Sequence, residues 1–348
     1  MRHYVLPATI TALSLLAACA EPLDRDAPAT APSWNLPDPE EDPGCQGWKC
    51  TGNSPVMSGY GFIELHENQV ANDVGFRLHH LRKDGIVYHP DVRGDRLYGL
   101  GAGGAIALAG PALEDAELVL SRDGTPGEFA IQIHKVNNLV TFWTAPYTTI
   151  ETYELTYTGP DVAKRTPLCP NPPPPTTGDG HMWAAPGEAI LFSGDRYDPN
   201  KRIIASTPTE AGDWFNIGCA GSALAKLHLN RFTAAGKRPA QPATSRAERQ
   251  DVLAMYTGNV CGTGTAYTIP DTQIRWASRN GYHQMGAFAT YEAVWGGGRA
   301  VCMSSWRLDA THPELREQMK LECGELPPCS QALLGSWQTR GTVLSAVP

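Results

Sequence analysis

Cys261 lies in the glycine-rich stretch MYTGNVCGTG (255–264), where a cysteine allows three kinds of chemistry. Its thiolate could act as a nucleophile if a base stood beside it, or it could bind a metal ion. It could also form half of a disulfide, which would brace the fold and perform no reaction. The sequence has no CxxC pair and no histidines at zinc-finger spacing, so it predicts neither a metal site nor a cofactor.

Carboxylates offer a second chemistry in the stretch GDRYDPN (194–200). Asp195 and Asp198, with His181 upstream, could activate water in a hydrolase. Acids in such a stretch are also typical of turns, where they accept hydrogen bonds from nearby backbone amides. The serine-hydrolase motif GxSxG is absent, so the sequence favours a protein without enzymatic activity and leaves hydrolysis as the alternative.

Aromatic residues are concentrated in the last third of the chain, at Trp276, Trp295 and Trp306 among others. Aromatic side chains bury large areas and mostly belong to cores. If some of these were exposed, they would form a ligand surface together with Asp195 and Asp198. The sequence thus predicts a ligand surface of aromatic and acidic residues as a hypothesis.

Cys19 ends the N-terminal segment, where its surroundings predict acylation of the thiol. Residues 1–18 carry one basic residue, Arg2, and then an apolar run without acids that is too short for an ordinary membrane-spanning helix. This pattern predicts a secretory signal peptide. Its end, LAAC (16–19), resembles the lipobox of bacterial lipoproteins, in which the cysteine receives fatty acids such as palmitate and becomes the first residue.

Acylation of Cys19 would make the lipid bilayer a partner of the protein. Several acyl chains on one cysteine hold a protein firmly, because each buried methylene contributes roughly 0.8 kcal/mol. The next residues, Ala20 and Glu21, include no aspartate to retain the protein at an inner membrane. We therefore expect an extracytoplasmic location, lipid-anchored at the outer membrane of a bacterium, with residues 19–44, rich in proline and acids, as a tether.

Composition argues against nucleic acid as a partner. The chain has 28 Lys and Arg against 36 Asp and Glu, for a net charge of −8, and its basic residues are scattered. Binding to phosphate backbones depends on clustered Lys and Arg. The sequence is therefore more compatible with a surface protein or a glycan as the second partner, and it does not say which.

Cysteine usage predicts disulfides. Nine cysteines less Cys19 leave eight, an even number, and an exported chain folds in an oxidising compartment. Their connectivity cannot be deduced from sequence alone. The candidates are Cys45, Cys50, Cys169, Cys219, Cys261, Cys302, Cys323 and Cys329.

The elements that must position these residues begin with an antiparallel β domain over residues 45–169. Short β-prone runs such as FAIQIHKV and YELTYT alternate apolar and polar residues with a period of two. Asp84-Gly85 and Asp123-Gly124 fall where two-residue hairpin turns are expected. The proline-rich residues 170–180 cannot join the interior of a sheet, so we expect a linker there.

A second, α+β domain is predicted over residues 181–330, followed by a C-terminal tail at 331–348. In DWFNIGCAGSALAKLHLNRF, apolar residues from Ala220 to Leu227 recur at helical spacing. Ser245 and Glu248 form a capping box that opens a second helix. The fold class is thus mainly β, with a helical hairpin in the second domain and the strands TAYTI, QIRWA and RAVCMSS after it.

Three blocks of the second domain carry a resemblance to a known family: the helical block above, RQDVLAMYTGNVCGTGTAYTIPDTQIRW, and EAVWGGGRAVCMSSWRL. They resemble the ADYC domain, an uncharacterised domain of secreted bacterial proteins named after an Ala-Asp-Tyr-Cys motif before a glycine-rich turn. Here the motif reads Gly258-Asn259-Val260-Cys261, so only the cysteine and the glycines after it match. The resemblance covers roughly residues 180–325 and implies no particular activity.

The predicted helical hairpin suggests one disulfide. Cys219 would open the first helix and Cys261 would follow the second, and these ends of an antiparallel hairpin lie side by side. We therefore predict a Cys219–Cys261 bridge that braces the domain, and we interpret Cys261 as structural. The function that the sequence favours is a lipid-anchored, non-enzymatic binding or structural protein of the bacterial surface; the alternative is an extracytoplasmic hydrolase that uses acids near Asp195 and Asp198.

Overall fold

The computed structural model describes residues 55–140, 149–169, 188–198, 200–206, 212–219, 222–230, 232, 234, 244–269, 272, 274–281 and 290–347. The predicted signal peptide, lipidation site Cys19, tether and linker lie outside these residues, as do His181, Cys45 and Cys50.

A short antiparallel hairpin, β1 (Val56–Met57) and β2 (Tyr60–Gly61), precedes the main sheet. The main sheet has eleven antiparallel strands in the described part of the chain. They are β3 (Glu64–His66), β4 (Phe76–Lys83), β5 (Ile86–Arg93), β6 (Arg96–Leu100), β7 (Ile106–Ala109), β8 (Glu117–Arg122), β9 (Thr125–Val140), β10 (Thr149–Gly159), β11 (Val162–Pro167), β12 (Glu188–Ser193) and β15 (Trp214–Cys219). Their order is β3-β15-β12-β10-β9-β8-β4-β5-β6-β7, with β11 also on β10. A separate small hairpin of β13 (Arg196–Tyr197) and β14 (Ile203–Ala205) lies between β12 and β15 in the chain.

The two Asp-Gly turns form as predicted. Lys83 pairs with Ile86 and Arg122 pairs with Thr125, so each turn has two central residues. Gly85 and Gly124 have φ of 75° and 77°, in the left-handed region that glycine adopts without strain.

The main sheet does not stop at the predicted linker. Tyr153 of β10 pairs with Ala189 of β12, and Phe215 of β15 pairs with Leu65 of β3. Strands from both sides of residues 170–180 therefore belong to one sheet, which corrects the predicted division at that point. In the chain, residues 170–180 fall between β11 and β12, which both pair with β10.

A second sheet of four antiparallel strands follows. It contains β16 (Arg275–Ser278), β17 (Thr290–Gly296), β18 (Arg299–Met303) and β19 (Val343–Val347), in the order β16-β19-β17-β18. Strand β19 lies between two others, so the prediction of a C-terminal tail over 331–348 is wrong for these residues. The reason is that four of the five residues of β19 are buried.

Four α-helices accompany the sheets in the described residues. They are α1 (Ala223–Leu229), α2 (Arg246–Thr257), α3 (Pro313–Cys323) and α4 (Gln331–Gly335). The capping box that opens α2 is present, because Ser245 and Glu248 exchange hydrogen bonds. None of the described helices is long and apolar enough to cross a membrane.

Residues Trp214–Cys219 form strand β15, whereas the sequence pattern suggested a helix beginning near Cys219. Every residue of this strand is buried, so its side chains show no alternation. The helical spacing was real only beyond Ser222, whose side chain caps α1 by accepting a hydrogen bond from the Ala225 amide. Likewise TAYTI (265–269) is an irregular segment and forms no strand.

Strand β12 connects two hydrophobic cores. All six of its residues are buried. Ala189 and Leu191 pack in the core of the main sheet, while Ile190 and Phe192 pack in a second core with α1, α2 and the four-stranded sheet. Alternate residues of a strand point to opposite faces, so β12 lies as a shared layer between the two cores.

Candidate functional site

The turn at residues 258–264, which we call the glycine-rich turn, is built at the C-terminal end of α2. Gly258 ends the helix with φ of 62°, and an added Cβ would lie 2.6 Å from the carbonyl oxygen of Tyr267. The buried side chain of Asn259 accepts a hydrogen bond of 3.1 Å from the Gly264 amide. The turn is therefore held by a hydrogen bond within it and by close packing of Gly258 against Tyr267.

Gly258 provides a test of this geometry. Replacing Gly258 with alanine is expected to lower the free energy of unfolding by more than 2 kcal/mol, because roughly 1–2 kcal/mol of left-handed strain adds to the clash with Tyr267. The matched control is Gly212→Ala, at φ of 61° with no atom within 4 Å, which should show the strain alone. Equal losses in chemical denaturation would contradict the proposed close contact.

Cys261 forms a disulfide with Cys323 at the end of α3, so it is structural in this fold. Glu322, next to Cys323, accepts hydrogen bonds from the hydroxyls of Thr263 and Tyr267, the latter at 2.5 Å. Burial, and then the Glu322 carboxylate, raise the pKa of Tyr267, so its phenol stays protonated and donates. These contacts attach the glycine-rich turn to α3.

The segment that joins β13 to β14 packs against the other side of the turn. Arg202 donates a 2.7 Å hydrogen bond to the Gly262 carbonyl, and an added Cβ on Gly264 would lie 2.7 Å from the Asn200 Cα. Asp198 accepts a 2.8 Å hydrogen bond from the Arg202 amide and so stabilises its own turn. Asp198 thus has the turn-forming contact that was one of the two interpretations of the sequence.

Asp195 forms a buried ion pair with Arg249 of α2. The guanidinium Nε and Nη2 donate to the two carboxylate oxygens at 2.5 and 2.8 Å, and the side chains are 2% and 3% exposed. Burial raises the pKa of Asp195, and the hydrogen bonds from Arg249 oppose that rise. Both oxygens are therefore engaged, which leaves this acid poorly placed to activate water.

A second ion pair joins the half-buried Arg196 of β13 to the buried Glu64 of β3. Arg196 donates to Oε1 of Glu64 at 2.7 and 3.1 Å, and its guanidinium stacks 3.8 Å from the Trp214 ring. Burial raises the pKa of Glu64, while Arg196 lowers it. Asn216 lies opposite Glu64 on the neighbouring strand, and its side chain donates a 2.8 Å hydrogen bond to the backbone carbonyl of Asp195. The two ion pairs therefore belong to one polar cluster.

A third ion pair, which is fully buried, stabilises the four-stranded sheet. Arg307 donates to both oxygens of Glu292 at 2.7 and 2.8 Å, and Ser345 of β19 donates to Glu292 at 2.7 Å. Trp295 donates its indole N–H to the Ser345 hydroxyl at 2.8 Å. Sequence reasoning missed Glu64, Arg249, Glu292 and Arg307, because charged residues far apart in the chain give no local signal.

The predicted ligand surface is not exposed. Trp276, Trp295 and Trp306 are 4%, 1% and 3% exposed and pack in the second core. Asp195 is buried as well, and Asp198 caps a turn. These five residues therefore do not come together as a ligand surface, and burial of the large aromatic side chains is the reason.

The disulfides correct the predicted pairing. The described cysteines form Cys169–Cys219, Cys261–Cys323 and Cys302–Cys329, so the Cys219–Cys261 bridge is wrong. Strands β11 and β12 occupy successive stretches of β10, and Cys219 lies opposite Ala189 near the start of β12. Cys169, which follows β11, therefore meets Cys219.

These features define an antiparallel β protein whose glycine-rich turn and helices are braced by disulfides and buried ion pairs. The family profile of the ADYC domain matches residues 110–309, more than half of the chain, and the chain belongs to this family. The match begins upstream of the predicted start at 181 and includes β8 to β11, in agreement with the continuity of the main sheet. Neither the curated proteins nor the solved structures contain a match to the chain.

Proposed function

We propose that this protein is a lipid-anchored, extracytoplasmic binding protein without enzymatic activity. The observation that carries the proposal is the state of its cysteines: all six in the described residues are paired in disulfides. Stable disulfides form in oxidising compartments outside the cytoplasm. Together with the lipobox-like LAAC (16–19), they support export and acylation of Cys19.

The engagement of the acids supports a binding function over catalysis. Asp195 and Glu292 each accept two hydrogen bonds from a buried guanidinium. Catalytic acids need an oxygen within reach of the substrate proton, which these pairs do not offer. No contact in the described residues specifically favours the hydrolase alternative. A protein or glycan of the cell surface is the partner class that we propose.

The anchor is tested by mass spectrometry of the protein isolated from membranes. We expect the mature N-terminal peptide to begin at Cys19 and to carry fatty acids. Cys19→Ala should abolish both the acylation and the cut before residue 19, while Cys45→Ala should leave both intact. A wild-type peptide without fatty acid would overturn the anchor.

Binding and catalysis are separated by parallel assays on the same preparation. The protein is screened against cell-wall glycans and surface proteins for binding, and against a panel of ester, glycoside and peptide substrates for turnover. We expect saturable binding to at least one ligand and no turnover above that of the buffer. Turnover that disappears in Asp198→Asn would instead support the hydrolase.

A further inference from the structure

Strand β7 lies at the end of the main sheet. Among the described strands it pairs only with β6, and Ile106 is 49% exposed, with Ala107 and Ala109 exposed beside it. The surrounding residues 97–113 contain no charged residue and no histidine. Soluble proteins usually protect such edges with charges, because unpaired backbone groups can recruit another strand.

The part of the outer face nearest this edge carries apolar side chains beside His89. His89, Leu100 and Ile106 face one another across β5, β6 and β7, and Val87, two residues before His89, is 58% exposed. A register shift between Gly99 and Leu100 leaves Ala107 without a partner on β6. The shift turns Ile106 outward while Leu108, opposite Gly99, stays 9% exposed.

We propose that two copies of this chain associate through β7, in antiparallel pairing about a two-fold axis at Ala107. The stretch GAIALAG (104–110) has the same order of residue classes in both directions. Antiparallel pairing centred on Ala107 therefore places Ala105 against the second copy's Ala109, and Ala109 against its Ala105. A strand that matches its own reverse suits an isologous interface, in which both copies use the same surface.

Charge favours a second copy at this position. Each copy carries a net charge of −8, so two copies repel one another over most of their surfaces. The charge-free residues 97–113 allow close approach without that cost. The strand has only four residues, so the pairing is weak in dilute solution, and anchoring in one membrane raises the effective concentration. This last step rests on the proposed function.

Cysteine cross-linking in membranes tests the pairing on the intact lipoprotein. Directly opposite residues of antiparallel strands have Cα atoms about 4.5–5.5 Å apart, within the range of a disulfide. A cysteine introduced by Ala107→Cys should therefore form a disulfide with the same residue of the second copy. The variant should run as a dimer on a non-reducing gel, and reductant should restore the monomer. Ala109→Cys is the matched control, because its mate lies roughly 13 Å away, four residues along the strand.

A mixed sample of Ala105→Cys and Ala109→Cys copies should give dimer that neither variant gives alone. Adding Ile106→Lys to Ala107→Cys should remove the dimer, and an unchanged melting temperature with retention of Cys169–Cys219 shows that the fold is intact. Equal dimer from Ala107→Cys and Ala109→Cys, or no dimer at all, would overturn the pairing. An acylated protein without dimer rejects the pairing alone, and a dimer of protein without fatty acid rejects the anchor alone.

Discussion

Replacing Arg249 with methionine is expected to lower the free energy of unfolding by about 3–5 kcal/mol at neutral pH. The variant leaves Asp195 buried without its cation, and a buried unpaired carboxylate is strongly unfavourable. The pKa of Asp195, already raised by burial, must rise further when Arg249 no longer opposes that rise. The loss should therefore shrink at low pH, where the carboxyl is neutral in both folded and unfolded protein.

Urea denaturation at pH 7 and at about pH 3, below the usual pKa of an aspartate in an unfolded chain, measures both effects. The control is Arg77→Met, which breaks an exposed pair whose side chains are 39% and 57% exposed, and it should destabilise the protein much less than Arg249→Met because solvent screens an exposed pair. The double variant Asp195→Leu with Arg249→Met should recover part of the stability, since no charge is left buried. A loss below 1 kcal/mol for Arg249→Met would mean that the pair is not buried as described.

Removing the disulfide at the glycine-rich turn is expected to cost about 4 kcal/mol. Cys261 and Cys323 are 62 residues apart. Without the disulfide, the unfolded chain gains the conformational entropy that closing a loop of this length removes, and this gain favours unfolding. The double variant Cys261→Ala with Cys323→Ala should therefore unfold at clearly lower denaturant concentration. The Cys302→Ala, Cys329→Ala pair, 27 residues apart, should lose about 0.7 kcal/mol less on the same account.

Peptide mapping of the unreduced protein checks the pairing that underlies this prediction. The fragment with GNVCGTG should be joined to the one with KLECGE, and the fragment with NIGCAG to the one with TPLCP. A free Cys261 thiol in the native protein, with loss of function on alkylation, would show that the structural interpretation of this cysteine is wrong.

The features that sequence predicted well are those that depend on residues close together in the chain. The Asp84-Gly85 hairpin forms because glycine accepts a positive φ at the turn. The capping box of α2 forms because Ser245 and Glu248 are one helical turn apart. The mainly antiparallel β class follows from several such local signals.

The features that failed depend on which strands meet. Cys219 was assigned to a helix and paired with Cys261, because its buried strand shows no alternation and its true partner is set by the packing of β11 and β12 along β10. The candidate site failed for the same reason. Asp195 looked like a free acid in a turn, and only the fold brings it to Arg249, 54 residues later.

Strand β12 has a consequence for how the protein loses its structure. Its alternate residues contribute to two cores, so loss of β12 from one core also removes packing from the other. We therefore expect the two cores to unfold together. The halves that composition distinguished on either side of residues 170–180 are therefore bound into one cooperative unit. On heating, neither part should unfold before the other, and a substitution that destabilises one core should lower the stability of both.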